Sequence, residues 1–167
     1  MVTIVQEPAD ILREVARPVA PHTVKSPRIQ KIIKDMRQAL NAEADGVAIA
    51  APQIGIPLRI IMIAKRASTL LTEDTVFINP EIIRSGKKKE LLSEGCLSVR
   101  WKYGLVKRAT SATVRALNKN GNECVTHARG LLAQIFQHEV DHLNGILFID
   151  KAKNIEDLPP PQHEHRV

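Results

Sequence analysis

Two histidines lie four positions apart near the end of the chain, at His138 and His142, and Glu139 directly follows the first of them. In a helix this spacing places both imidazoles on one face, where they could bind a single metal ion, and it aims the glutamate at a metal-bound water. The neighbouring positions are apolar, so this face is expected to be buried, and burying ionisable groups without partners costs several kcal/mol each. The HExxH pattern therefore predicts a metal site.

A catalytic site of this kind needs a third protein ligand and one open coordination position. The longer metalloprotease pattern HExxHxxGxxH would place a histidine at position 148, but that position holds Phe148. Upstream, Cys96 lies within the segment EGCLS, residues 94–98, and a thiolate is a good ligand for a divalent transition metal. Taken alone, Cys96 is more typical of a small buried apolar residue, so the third ligand stays open at this point.

The composition restricts the class of protein that carries these residues. Of the 167 residues, 44% are hydrophobic and 25% are charged, which is typical of a soluble globular chain and fits one domain over residues 1–167. Aromatic residues make up only 3%, too few for a base-stacking platform, and the net charge of +6 is scattered, so we expect no specific DNA partner. The cysteines Cys96 and Cys124 do not indicate a disulfide framework.

The location expected from the sequence is the cytoplasm. No apolar run approaches the roughly 18 residues that a membrane-spanning helix requires, so no membrane partner is expected. The first ten residues already include Gln6, Glu7 and Asp10, which do not fit a secretory or organelle-targeting signal.

The elements that must position the HExxH residues can be read from periodicity. Residues 129–143 have a helical pattern that Asn144 and Gly145 end, and a first long helix is predicted from the N-cap Ser26 to about Glu43. Strands clustered between two helices favour an α+β fold. The proline-rich end, 158–167, is predicted to be a disordered tail of the single domain. The strand patterns cover residues 58–64, 76–84, 88–92, 105–117 and 123–127.

Three segments together resemble the peptide deformylase family. They are GVAIAAPQIG at 46–55, EGCLS at 94–98 and QHEVDH at 137–142, in the order in which that family's motifs occur. The resemblance implies a hydrolase that removes the N-formyl group from the N-terminal formyl-methionine of newly synthesised polypeptides and releases formate. It also implies a single α+β domain in which antiparallel or mixed sheets surround a central HExxH helix.

The resemblance further implies one divalent metal ion per chain, held by Cys96, His138 and His142. Fe(II) is the expected ion, and Zn(II), Ni(II) or Co(II) could occupy the same site. A metal-bound hydroxide would be the nucleophile, with Glu139 as general base and then general acid. The side-chain amide of Gln53 and the backbone N–H of Leu97 would stabilise the oxyanion.

Five further residues match family positions. Val47, Ala48 and Gly95 would bind the substrate, and Glu94 and Arg108 would pair to support the second motif. The family usually has glycine at the position of Ala48, and it commonly has a proline-containing loop where this chain has the bulky, basic segment 98–103.

The expected partners are formyl-methionyl nascent peptides, with a transient ribosome contact as a further candidate because of the basic surface. Two alternatives remain open at the level of sequence. One is a noncatalytic deformylase-like protein that keeps the metal for stability and binds nascent chains or ribosomes. The other is an HExxH zinc peptidase.

Overall fold

The computed structural model describes residues 2–159, and over these residues the chain forms two α-helices and eight strands. Helix α1 comprises Pro27–Ala42 and helix α2 comprises Gly130–Leu143. The strands are β1 Ala48–Ala50, β2 Ile60–Ile63, β3 Thr75–Ser85, β4 Lys89–Cys96, β5 Val99–Ala109, β6 Ser111–Leu117, β7 Glu123–Arg129 and β8 Lys153–Asp157. Within residues 2–159, neither α1 nor α2 has the length and apolar composition that a membrane-spanning helix needs.

The strands form two antiparallel sheets. One has five strands in the order β1-β2-β3-β6-β7, and the other has three strands in the order β4-β5-β8. The two long strands β6 and β7 pair without interruption from Ser111↔Arg129 to Leu117↔Glu123, around the turn predicted at Asn118 to Gly121. The α+β class predicted from the sequence is confirmed, with antiparallel rather than mixed sheets.

The five-stranded sheet separates two apolar clusters, and its strand β2, which lies between β1 and β3, shows why. All four residues of β2 are fully buried. Because side chains alternate along a strand, Ile61 and Ile63 pack in the cluster that includes α2, while Ile60 and Met62 pack in the cluster that includes α1. The sheet is therefore covered by one helix on each face, and α2 also contacts β5 of the smaller sheet.

Local sequence accounts for the ends of both helices. Ser26 is the N-cap of α1, and its Oγ accepts a hydrogen bond from the Ile29 backbone N–H at 3.4 Å. Beyond α2, Gly145 has φ +71°, and a Cβ at this position would lie 2.3 Å from the carbonyl oxygen of Arg13. Glycine is required there both by the backbone conformation and by the close approach of the N-terminal chain.

The strands predicted at 88–92 and 105–117 are too short at the hairpin, because β4 runs to Cys96 and β5 begins at Val99. Two further differences concern which strands pair. Residues 105–117 were predicted as one strand, but the chain leaves the smaller sheet after Ala109 and enters the larger sheet at Ser111. At the crossing, the Thr110 N–H donates to the Lys88 carbonyl and the Thr110 carbonyl accepts from the Gly130 N–H. The pattern of β-forming residues is continuous through Thr110, so only the pairing partners reveal the change of sheet.

The second difference concerns the C-terminal end. The sequence did not indicate β8, which pairs with β5 through Lys102↔Asp157 and Tyr103↔Glu156. Leu158, the first residue of the predicted disordered tail, donates its backbone N–H to the Trp101 carbonyl at 2.7 Å. Residues 160–167 of that tail lie outside the described residues.

Candidate active site

Helix α2 brings the ionisable groups of the HExxH motif to one buried face. Glu139 and His142 are 4% and 1% exposed, and the ring centroids of His138 and His142 lie 4.9 Å apart. The ring of His138 also stacks on Phe148, in the short turn that follows the helix. The spacing read from the sequence thus places two imidazoles side by side.

The third predicted ligand, Cys96, lies on the β4–β5 hairpin and contacts this face of the helix. Cys96 is the last residue of β4, and its Sγ lies 3.2 Å from Nε2 of His142. One ligand atom from each of Cys96, His138 and His142 lies within 4.8 Å of the other two. Burial raises the pKa of the Cys96 thiol, but the two histidines outweigh burial and hold that pKa well below its ordinary value. A thiolate beside two imidazoles is a donor set that fits a divalent transition metal.

Two polar atoms in the cluster are buried and have no hydrogen-bond partner within residues 2–159. They are Oε2 of Glu139 and Nδ1 of His142. Burial raises the pKa of Glu139, and the neighbouring His138 and His142 charges only partly oppose this rise. A buried carboxylate with one free oxygen and a raised pKa is suited to accept and return a proton, and it leaves room for a polar group to bind beside it.

A continuous set of charged hydrogen bonds fixes His138. Its Nδ1 lies 2.9 Å from Oε2 of Glu94, and Arg108 donates to both oxygens of Glu94 at 2.7 and 2.9 Å. Arg108 also donates to Asp141 at 2.6 Å, and Asp141 accepts from Lys151 at 2.7 Å. Burial raises the pKa of Glu94, but the hydrogen bonds from Arg108 and His138 outweigh it and lower that pKa to about 2. This network holds Nδ1 of His138 by a hydrogen bond and so fixes the orientation of the ring.

Gln53 is held rigidly beside Cys96. It lies in the 3-10 turn Ala51–Ile54 directly after β1, and its side chain is buried. Its Oε1 accepts the Ala50 N–H at 2.8 Å, while its Nε2 donates to Ser98 Oγ at 3.1 Å and lies 3.5 Å from Cys96 Sγ. The amide N–H₂ group is therefore directed toward the cluster of ligand atoms.

A cavity of about 280 Å³ opens beside these groups. One wall is β1, the edge strand of the larger sheet, and the β4–β5 hairpin and α2 provide the rest of the lining. All of the site residues predicted from the sequence line this cavity except His142 and Arg108. The tertiary structure thus brings residues from three separate segments to one concave surface.

The predicted substrate-binding residues lie along the walls of this cavity. The Val47 carbonyl accepts the Ala64 N–H at 2.9 Å and so faces β2; since antiparallel pairing alternates, the backbone groups of Ala48 face the open edge. The Ala48 methyl group packs in the apolar cluster that includes α2. At Gly95, a Cβ would lie 2.6 Å from the Tyr103 ring, so only glycine allows this close approach.

Sequence reasoning missed two contributors to the site. Ser98 positions the Gln53 amide, and its place within EGCLS was a usable signal. Lys151 adds a second cation to the buried network by donating to Asp141, and nothing in the sequence around Lys151 indicated this pairing. Asp141, inside the HExxH segment, accepts hydrogen bonds from Arg108 and Lys151 and so anchors the helix.

The fold and this site together define a class of protein: an α+β enzyme scaffold whose buried helix holds two histidines and a glutamate against a cysteine. Comparison with known proteins gives the family. The family described as "Polypeptide deformylase" matches residues 1–157. The chain is 47% identical over 146 residues to "Peptide deformylase" of Carboxydothermus hydrogenoformans, covering 87% of this chain and 89% of that one.

Solved structures agree with this match. A class I type b peptide deformylase from Acinetobacter baumannii with Met-Ala-Ser bound has a TM-score of 0.82 and 36% identity, covering 89% of this chain and 96% of that chain. The actinonin-bound structure of the same protein has a TM-score of 0.83 and 37% identity, with coverage of 91% and 98%. The chain belongs to the polypeptide deformylase family and is an enzyme of this kind, which confirms the resemblance seen in the sequence.

Proposed function

We propose that this enzyme hydrolyses the N-formyl group of formyl-methionyl nascent polypeptides, giving formate and a free N-terminal amine. The observation that carries the proposal is that Cys96, His138, Glu139 and Gln53 line one cavity, with His142 directly beside the Cys96 thiol. A second support is the related Acinetobacter baumannii enzyme, which binds Met-Ala-Ser, a deformylated peptide of the expected type.

Cys96, His138 and His142 would hold one divalent metal ion, with Fe(II) as the proposed ion and Zn(II), Ni(II) or Co(II) as others that the donor set accepts. When bound, such an ion supplies Lewis acidity, which makes water a nucleophile near neutral pH. The Glu94 hydrogen bond to His138 would strengthen that imidazole as a ligand and keep its orientation.

Glu139 would move the proton. Its raised pKa makes the carboxylate a stronger base, and its free Oε2 can accept a proton from the attacking water. The resulting carboxylic acid would then give that proton to the departing amine nitrogen. The C–N bond of the formamide breaks as the amine becomes protonated, and formate leaves.

Gln53 and Leu97 would stabilise the oxygen of the formyl group as it gains negative charge. The Gln53 Nε2 is already oriented by bonds on both ends of its amide, so little reorganisation is needed. Leu97 lies at the tip of the hairpin beside Cys96 and lines the same cavity. Removing one donor of this kind lowers kcat by about 10² to 10³.

The substrate chain would add to the open edge of β1. Ala48 offers backbone groups on this edge, Val47 lies beside it, and Gly95 lies across the cavity on β4. Main-chain pairing of this kind accepts many sequences, which suits an enzyme that must process many nascent chains. The methionine side chain would enter the apolar part of the cavity, next to Leu131 and Ile135 of α2.

Formate release from formyl-Met-Ala-Ser by anaerobically metallated protein tests the proposal. Glu139→Ala is expected to lower kcat by about 10² to 10⁴, because it removes the group that transfers the proton. Glu81→Ala, at an exposed glutamate of β3, is the matched control and should keep full activity. Equal activity of wild type and Glu139→Ala would overturn the proposal. Internal cleavage of unformylated peptides that tolerates Cys96→Ser would point to a zinc peptidase instead.

A transient ribosome contact in the cytoplasm is proposed as the setting of this reaction. The outer face of the smaller sheet carries Lys89, Lys107 and Lys153, and none of these has an ion-pair partner within residues 2–159. Together with the net charge of +6, this face is complementary to ribosomal RNA. Co-sedimentation with ribosomes should fall steeply as the salt concentration rises, and normal turnover without any such association would limit the function to free peptides.

A further inference from the structure

We propose that Trp101 forms the wall of a subsite for the residue that follows methionine in the substrate, and that this subsite favours a large apolar side chain. The inference rests on the proposed function, because it places a formyl peptide along β1. Trp101 lines the cavity and is 38% exposed, so its ring is accessible to a bound peptide.

Trp101 lies in a bulge of the β4–β5 hairpin. Gly95 pairs with Tyr103, but the next residue, Cys96, pairs with Val99, so residues 100–102 are inserted between two successive pairs. The backbone of Trp101 has φ +64°, a left-handed conformation that is unusual for a bulky side chain. Such a conformation persists only where the surroundings fix it, and such positions are concentrated at binding and catalytic sites.

Several contacts fix this bulge. The Arg100 guanidinium lies 5.1 Å from the centroid of the Trp101 ring, within the range of a cation–π interaction. Arg100 also forms ion pairs with Glu43 and, at 2.9 Å, with Asp45. On the other side, the Leu158 N–H donates to the Trp101 carbonyl. The indole is therefore an exposed apolar surface held in a fixed position.

The direction of the substrate chain places its second residue beside this ring. The reacting formyl group would lie at Gln53, beyond the C-terminal end of β1, so the peptide would run antiparallel to β1 and the methionine would lie opposite Ala48. Ala48 belongs to the cluster that includes α2, and Ile49 belongs to the cluster that includes α1. Because side chains alternate along a strand, a methionine side chain directed toward α2 turns the next side chain toward α1.

The bulge lies on that same side of the cavity. Glu43, which receives the Arg100 ion pair, is the C-cap of α1, and Asp45 follows it in the loop that leads to β1. Both charges of this loop are paired with Arg100, and the neighbouring indole of Trp101 offers an apolar surface to a substrate side chain. Contact with an aromatic ring favours large apolar groups over glycine.

Specificity constants for two formyl peptides test the subsite. Wild type is expected to have a kcat/KM for formyl-Met-Leu-Ser that is roughly three- to tenfold higher than for formyl-Met-Gly-Ser, with the difference in KM. Trp101→Gly should reduce this ratio to about one, and glycine accepts φ +64° without strain, so the fold should be kept. Trp101→Phe should retain the preference, and Ile83→Ala, at an exposed apolar residue of β3, should leave it unchanged.

Trp101 is also the single tryptophan of the chain, so intrinsic fluorescence reports directly on the bulge. Titration of the holoenzyme with the product peptide Met-Leu-Ser should shift the emission to shorter wavelength more than titration with Met-Gly-Ser. Formate release with equal kcat/KM for both substrates, or with a preference that Trp101→Gly leaves intact, would overturn this inference alone. Absence of formate release from every formyl peptide would overturn the proposed function and the inference with it.

Discussion

Helices α1 and α2 cover opposite faces of the same sheet, yet they bury very different side chains. The buried residues of α1 are all apolar: Ile29, Ile32, Ile33, Met36, Ala39 and Leu40. Those of α2 include three ionisable groups among apolar ones: Leu132, Ala133, Ile135, Phe136, Glu139, Asp141, His142 and Leu143. The buried face of the first helix packs through apolar side chains, whereas that of the second also depends on charged partners from other elements.

The difference shows which elements stabilise the buried charges of the candidate site. The ionisable groups in the C-terminal half of α2 contact Glu94, Cys96 and Arg108, which reach them from the β4–β5 hairpin of the smaller sheet, and Lys151, which lies beyond the helix. Helix α1 needs no such partners, so a change there should affect stability without affecting chemistry.

The largest stability loss is expected from Arg108→Met. It would leave the buried carboxylates of Glu94 and Asp141 without their shared partner, and breaking a buried ion pair in this way costs about 3 to 5 kcal/mol. Urea unfolding of the metallated protein would measure the change. Lys31→Ala, which removes an exposed ion pair of α1, is the control and should cost less than about 0.5 kcal/mol. Similar losses for the two variants would contradict the assigned role of the network.

Met36→Ala should lower the stability of the protein through the core beside α1 and leave kcat unchanged. Met36 is fully buried, and truncating such a side chain to alanine costs about 2 to 5 kcal/mol through lost burial and the cavity left behind. Thermal unfolding would measure the loss, and kcat per folded molecule should equal that of wild type. A fall in kcat comparable to that of Glu139→Ala would show that the two sides of the sheet are coupled.

Metal removal should lower the stability that depends on the ligands at α2 and leave the contribution of the α1 core unchanged. A metal that binds only the folded state stabilises it by about 2.7 kcal/mol at a concentration 100 times its dissociation constant. The unfolding midpoint should therefore fall when the protein is treated with a chelator, and Cys96→Ser should show a smaller fall because one ligand is weakened. Met36→Ala should respond to chelation as wild type does. A chelator effect of equal size in Cys96→Ser would remove Cys96 from the ligand set.

The smallest effect is expected at the start of α1. Ser26→Ala removes the side-chain oxygen that accepts the Ile29 N–H, and loss of an N-cap typically costs about 1 kcal/mol. Chemical denaturation resolves a change of this size. Ser26→Asp keeps an acceptor at the cap and should retain most of the stability, so an equal loss in both variants would show that the cap hydrogen bond contributes little.

Much of the candidate site could be predicted because its polar residues lie in short motifs. His138, Glu139 and His142 are separated by fixed helical spacing, so their convergence follows from local structure alone. Cys96 was identifiable only through the accompanying EGCLS segment, since a lone cysteine is more often a core residue. Nothing local indicated Lys151, which reaches Asp141 from beyond the helix.

The sequence by itself determined the fold class, the helix that carries HExxH and the family, because periodicity and ordered motifs are local properties of the chain. Only the tertiary structure decided that the strand pattern breaks at Thr110 and that β8 pairs with β5, because strand pairing depends on partners distant in sequence. The same reason explains the left-handed backbone of Trp101 and its place at the cavity, which no local preference of tryptophan would give. The neighbouring Arg100 pairs with Glu43 and Asp45, and the Trp101 carbonyl accepts the Leu158 N–H, so distant partners hold this segment in place.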